Sequence, residues 1–106
     1  MVYLQLSQPY RNFDKVKISY ISISDSDPAR SDSSRISFKY QIFRFTTQNN
    51  VESLFERNIN VTDREIVELI GSKNYPDLNL YDTACRALLE YMIQNGNETG
   101  TIEIIE

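Results

Sequence analysis

Two apolar runs with a side-chain period near two frame the first half of the chain. Within residues 16–24, Val16, Ile18 and Tyr20 share one face, after which Ile21 and Ile23 take the other. Within residues 36–45, Ile36, Phe38, Tyr40 and Ile42 share a face, and Phe43 and Phe45 fall on the opposite one. A regular strand alternates its side chains and cannot change phase. The switch predicts either a bulge that re-aims the strand or burial of different faces at its two ends. Both runs read as strands of a long, twisted antiparallel hairpin. The stretch between them, residues 25–35, is polar, lacks branched apolar residues and reads as an exposed loop that could order on binding.

Thr47-Gln48-Asn49-Asn50 carries turn chemistry, because asparagine tolerates positive φ. Beyond it, Val51, Phe55, Ile59 and Val61 fit a strand face, whereas Val51, Leu54, Phe55 and Ile59 fit a helical one. The turn and the hairpin before it favour a strand. Thr62-Asp63-Arg64-Glu65 predicts a capping box with the Thr62 hydroxyl at the N-cap and the Glu65 carboxylate three residues on. The helix it opens carries Ile66, Val67, Leu69 and Ile70 and stops at Gly71. After the SKNYPDLN loop a second helix runs over residues 79–95 to a stop at Gly96, and TIEIIE at residues 101–106 reads as a strand with Ile102 and Ile104 on one face. The expectation is one α+β domain over residues 1–106: a twisted antiparallel β-hairpin or meander, two helices packed on it, and a C-terminal strand.

The second helix is more apolar than a helix on one sheet requires. At about 100° per residue, its apolar side chains from Leu80 to Ile93 sweep roughly two-thirds of the circumference. Only Asn79, Thr83, Arg86, Glu90 and Gln94 form a polar stripe. A sheet covers an apolar stripe of about 100° or somewhat more, and the first helix is short. Part of the remainder, with Ala87, Leu89 and Ile93 as candidates, is expected to meet another chain. The terminal strand is the second candidate interface, through Ile102 and Ile104, because a strand at a sheet edge offers unpaired backbone groups.

Composition narrows the chemistry. The 106 residues are 41% hydrophobic and include 7 tyrosines and 5 phenylalanines, enough for one core without metal or disulfides. A net charge of −4, with 11 scattered basic residues, argues against nucleic-acid binding, for which clustered lysine and arginine are needed. There is no histidine, which removes the commonest general base and transition-metal ligand together. With glycines only at positions 71, 96 and 100, no phosphate-binding loop can form. Asp25, Asp27 and Asp32 resemble the start of a calcium loop, but the following positions hold Ala29, Arg30 and Ile36 where a ligand, a glycine and a glutamate are required. Cys85, the single cysteine, sits mid-helix among Ala84, Leu88 and Leu89 and reads as core. Glu52, Glu56, Glu65 and Glu68 could supply paired carboxylates, though a charged outer face explains them better. No cofactor or metal is expected. The start of the chain lacks a signal-peptide pattern and no apolar stretch approaches a membrane span, so the expected setting is a reducing cytoplasm, and the sequons at Asn60 and Asn97 read as chance.

The long hairpin (KVKISYISIS … RISFKYQIFRF), the helical middle and the helix running into Gly100-Thr101-Ile102-Glu103 resemble small virion proteins of tailed bacteriophages. The resemblance implies a capsid-decorating, neck or tail-assembly component without catalytic residues, working as repeated copies, and a final location in a virion. The partners expected are other protein chains, in a homo-oligomer or larger assembly, with neither nucleic acid nor membrane. Two alternatives come from other classes: a small acidic inhibitor of the anti-defence type that binds one host protein, and a minor hydrolase using the glutamate pairs.

Overall fold

The structure, a computed structural model, describes residues 1–24, 35–47 and 50–105. One five-stranded antiparallel sheet contains β1 (Val2–Tyr10), β2 (Phe13–Ser24), β3 (Arg35–Phe45), β4 (Val51–Val61) and β5 (Gly100–Ile104). The order across it is β4-β3-β2-β1-β5, so the last strand pairs with the first. Two helices, α1 (Arg64–Gly71) and α2 (Leu80–Asn95), lie between β4 and β5 in sequence, α2 packing on β1, β2 and β5 and α1 on β3 and α2. The fold is α+β with a β-meander, as the hydrophobic pattern predicts. Residues 51–61 form a strand, paired to β3 from Ile36↔Val61 to Phe45↔Val51.

Both explanations of the phase switch are realised, one in each strand of the hairpin. In β2 the register with β3 slips between Ile18 and Tyr20, so Ser19 is the extra residue of a bulge. Val16 and Ile18 face the helices, and after the bulge Ile21 and Ile23 do so. β3 keeps its phase throughout. Ile36, Phe38, Tyr40 and Ile42 face the helices, while Phe43 and Phe45 lie on the open face.

The helix-side core joins Leu4, Val16, Phe38 and Ile42 of the sheet to Cys85, Leu88, Leu89 and Met92 of α2. Each such fully buried large side chain contributes about 1.5–3 kcal/mol of hydrophobic stabilisation. On the open face a second, smaller cluster forms without any helix. Phe43 and Phe45 meet edge-to-face at 5.4 Å, and Tyr3 packs against both at 6.2 and 6.0 Å. Lys15 and Lys17 lay their ammonium groups 5.5 Å from the Phe45 ring and 5.4 Å from the Phe43 ring. Their stems cover the rings, which is how Phe43 is fully buried on a helix-free face.

Three details depart from the sequence reading. The N-cap of α1 is Asp63, not Thr62: its Oδ1 accepts from the Glu65 and Ile66 amides at 2.9 and 3.4 Å, a task its short carboxylate performs one residue closer to the helix. The N-terminal segment, which was assigned no element, is β1, with Val2, Leu4 and Leu6 buried in alternation. Glu52 and Glu56, which a regular strand over residues 51–61 would put on one face, do not share one. β4 has its own irregularity at Leu54, which puts Glu56 opposite Gln41 and Glu52 opposite Arg44, and Arg44 Nη2 closes on Glu52 at 2.8 Å.

Candidate functional site

Helix α2 starts at an Asn79 cap, whose Oδ1 accepts from the Asp82 amide at 2.8 Å. It ends at Gly96, left-handed with φ 76°, whose C-terminal turn is closed by the Asn97 amide donating to the Met92 carbonyl at 3.0 Å. Between these caps the helix does not expose the residues singled out from its apolar arc. Ala87 and Leu89 are buried in the chain's own core. Leu89 belongs to the core against the sheet, and Ala87 is covered by α1, short as it is: Ile66 and Ile70 lie against the Ala87 side of α2. Ile93 is half-buried and packed on the core, as is Ile102 of β5. Ile104 is 45% exposed at the end of β5, an edge strand as expected.

The uncovered apolar surface lies at the opposite end of α2. Leu80 is 88% exposed and Tyr81 57%, and across from them Ile23 of β2 is 72% exposed. Between helix and hairpin runs an apolar groove of about 210 Å³ lined by Ile21, Ile23, Ile36, Ile70, Leu80 and Leu88, among others. The excess of apolar arc was legible in sequence. Its position was not, because that depends on where α1 and β1 stop. Of the proposed ordering arm, residues 25–35, all but Arg35, which opens β3, lie outside the described residues.

At the far end of the sheet sits a polar cluster that sequence reasoning missed. Glu98, in the connection from α2 to β5, is 5% exposed. Tyr10 Oη donates to its Oε2 at 3.0 Å, Tyr40 Oη to its Oε1 at 3.3 Å, and Arg57 Nη1 stands 3.8 Å from Oε1. Burial, and then the neighbouring carboxylate, pushes the Tyr10 hydroxyl above its ordinary pKa. Burial likewise raises Tyr40. The Tyr40 hydrogen bond raises Arg57. A cavity of about 290 Å³ opens beside Glu98, lined by Leu6, Gln8, Pro9, Tyr10, Asn97 and Thr99 among others. Tyr10, Tyr40 and Arg57 engage the carboxylate's oxygens. The arrangement ties the α2–β5 connection to the sheet. One sequence signal pointed to it: Arg57 lies between Phe55 and Ile59 on the core-facing side of β4, where a charge needs a partner.

Cys85 is buried, and burial pushes its thiol above the ordinary value against the smaller opposing pull of a Tyr81 hydrogen bond. That environment quiets a thiol. Among the described residues no group of three or more histidine, cysteine, aspartate or glutamate side chains could hold a metal ion, and Asp25, Asp27 and Asp32 fall outside them. Among the described residues no helix is long and apolar enough to cross a membrane. Comparison with protein-family models, curated proteins and solved structures found no match to this chain.

Proposed function

We propose that this chain is a non-enzymatic structural or assembly protein that works by binding other protein chains through the apolar end formed by Leu80, Tyr81 and Ile23. The observation that carries the reading is the exposure of Leu80 and Ile23, which line an apolar groove, with the exposed Tyr81 next to Leu80 on the helix. Contiguous exposed apolar surface of this kind marks interaction sites in folded proteins. The tight partnering of Glu98 and the burial of Cys85 support the same reading, since each leaves a potentially reactive group engaged or shielded. The setting implied by the resemblance to small virion proteins of tailed bacteriophages is a repeated copy in a capsid, neck or tail.

The test is gradient sedimentation of the native source beside a Leu80→Asp variant. Leu80 is almost wholly exposed, so the variant should fold as the parent does. The expected result is that the parent sediments in a large particle at fixed stoichiometry and the variant stays free, because a desolvated unpaired carboxylate costs several kcal/mol on binding. A parent chain found with one soluble host protein would instead mark an inhibitor. A parent that sediments alone refutes the binding role.

A further inference from the structure

The sheet is incomplete beside β2. Leu4 pairs with Val16 and Gln5 with Lys15, and carrying that register outward puts Val2, the first residue of β1, opposite Ile18. Residues 20–24 of β2 continue past this point. They pair with β3 on one side, from Tyr20↔Lys39 to Ser24↔Arg35. On the other side, among the described residues, no strand pairs with them. A row of backbone groups is therefore left open directly beside the apolar groove, and the most exposed apolar residues, Leu80 and Ile23, border the gap.

The three open edges of this sheet are not equal. β4 is interrupted by its irregularity at Leu54 and carries Glu56 and Arg57 mid-strand, with Arg57 turned toward the helix side. β5 is short and carries Glu103. Bulges, charges and inward-pointing charges are the devices by which natural edges avoid pairing. The open stretch of β2, residues 20–24, begins after the Ser19 bulge and has none of them within it. From Tyr20 to Ser24 it reads YISIS, without charge, proline or glycine and rich in strand-forming residues, a composition that invites pairing.

We infer that residues 20–24 of β2 pair antiparallel with the same residues of a second copy, about a two-fold axis at Ser22, to make one continuous sheet. This names the partner of the apolar end and so rests on the binding role proposed above. The segment is self-complementary in that register. Ile21 comes opposite Ile23 of the copy on the helix side, and Tyr20 comes opposite Ser24 on the open side. Residues two apart share a face, so the faces match. A register centred on Ile21 would set Ile23 against the bulged Ser19, which the Ser22 centre avoids. The copy's Ser24 falls opposite Tyr20, beyond the Ile18 position where β1 begins, so the two strands meet end to end without overlap. An axis perpendicular to the sheet keeps the helices of both copies on one side, with Leu80 of each over the seam. Such a two-fold contact is the commonest form of homo-oligomer.

The test uses the full chain. Sedimentation equilibrium over a concentration series should show a monomer–dimer equilibrium for the parent. Ile23→Lys should be monomeric with an unchanged circular dichroism spectrum, since Ile23 is largely exposed within one chain. Ser22→Cys should form a disulfide-linked dimer under mild oxidation, because directly opposed residues of an antiparallel pair have Cα atoms about 4.5–5.5 Å apart, within disulfide reach. Dimers that persist in Ile23→Lys, or a Ser22→Cys chain that does not cross-link, overturn the self-pairing. A parent that is monomeric throughout, yet joins a particle of other chains that Leu80→Asp cannot join, overturns it while leaving the binding role intact. A monomer that associates with nothing overturns both.

Discussion

Replacing Glu98 with alanine tests the buried polar cluster. The substitution removes the acceptor of two tyrosine hydroxyls and the counter-charge of Arg57. The three losses are unequal. Tyr40 is 2% exposed, so its O–H is left buried without an acceptor, a penalty of about 1–3 kcal/mol. Tyr10 is only partly buried and can turn its hydroxyl to water, so its loss is about 1 kcal/mol, the net worth of one hydrogen bond. The Arg57 side chain is 52% exposed and 3.8 Å away, so the ion pair adds about 0–1 kcal/mol, the range of solvent-screened pairs. The expected destabilisation is about 2–5 kcal/mol, a drop in Tm on the order of 10–25 °C for a domain of this size. Urea unfolding followed by far-ultraviolet circular dichroism measures it, with Tyr40→Phe and the double variant completing a cycle. Most of the loss comes from the stranded Tyr40 donor, so the double variant should cost distinctly less than the sum of the singles. A Glu98→Ala change within about 0.5 kcal/mol of the parent, the range of an ordinary surface substitution, or strict additivity in the cycle, would refute the lock.

Alkaline pH should weaken the fold through its tyrosines. Burial raises Tyr10, Tyr40 and Tyr81 above the ordinary value of 10.0, and burial with the Glu90 hydrogen bond pushes Tyr75 up to about 12. Raised folded-state values mean that their contribution is complete below pH 10 and is lost as pH rises toward 12, where the unfolded chain has released protons that the folded chain still holds. Absorbance titration at neutral and high pH should show late-ionising tyrosines in the native chain but not in urea, and coincident curves would contradict this. At Gly100, opposite Leu6 where β5 joins β1, a Cβ would collide with the Gln5 carbonyl. Gly100→Ala should therefore destabilise by about 1–3 kcal/mol, as overpacking against backbone does, while Gly71→Ala, with open space around it, should be neutral or slightly stabilising in the same melts.

What could be read from the sequence divides along a physical line. Local signals were reliable: period-two runs predict β2 and β3, the turn and hairpin before residues 51–61 favour β4 where the periodicity leaves strand and helix open, Asn79 and Gly96 bound α2, and the change of phase announces a distortion that is the Ser19 bulge in one strand and two-sided burial in the other. Cys85 in the core also followed from its neighbours on the helix. What failed depended on contacts far apart in the chain. The hydrophobic pattern does not single out β1, although Val2, Leu4 and Leu6 alternate: the run is short, and its place between β2 and β5 depends on the far end of the chain. The expectation of Ala87 at an interface fails because the cover supplied by α1 depends on how two helices dock, and that of Leu89 because the sheet takes its side of α2; no local pattern encodes either. Glu98 escaped notice because its partners, Tyr10, Tyr40 and Arg57, come from three different strands.

The same distinction explains why the apolar end and the polar lock sit at opposite ends of the sheet. Where β5 returns to β1, the chain closes on itself: the Ser7 amide donates to the Thr99 carbonyl at 3.0 Å, Leu6 pairs with Gly100, and Glu98 fastens the connection beneath. Backbone and side-chain polar groups there find partners within one molecule. At the other end β2 and β3 extend past the start of β1, so the sheet narrows while α2 keeps its width of apolar surface. A helix face matched to a broader sheet is left over a narrower one, and Leu80, Tyr81 and Ile23 emerge into solvent. The mismatch between strand lengths produces both the open backbone row and the uncovered side chains, so a single added strand at residues 20–24 would satisfy the two together. A partner that covered only the helix would leave the backbone row bare, and one that paired only with the backbone through a polar strand would leave the groove wet. An alternating strand with isoleucines on one face and serines on the other answers both, and the chain carries that strand in β2 itself.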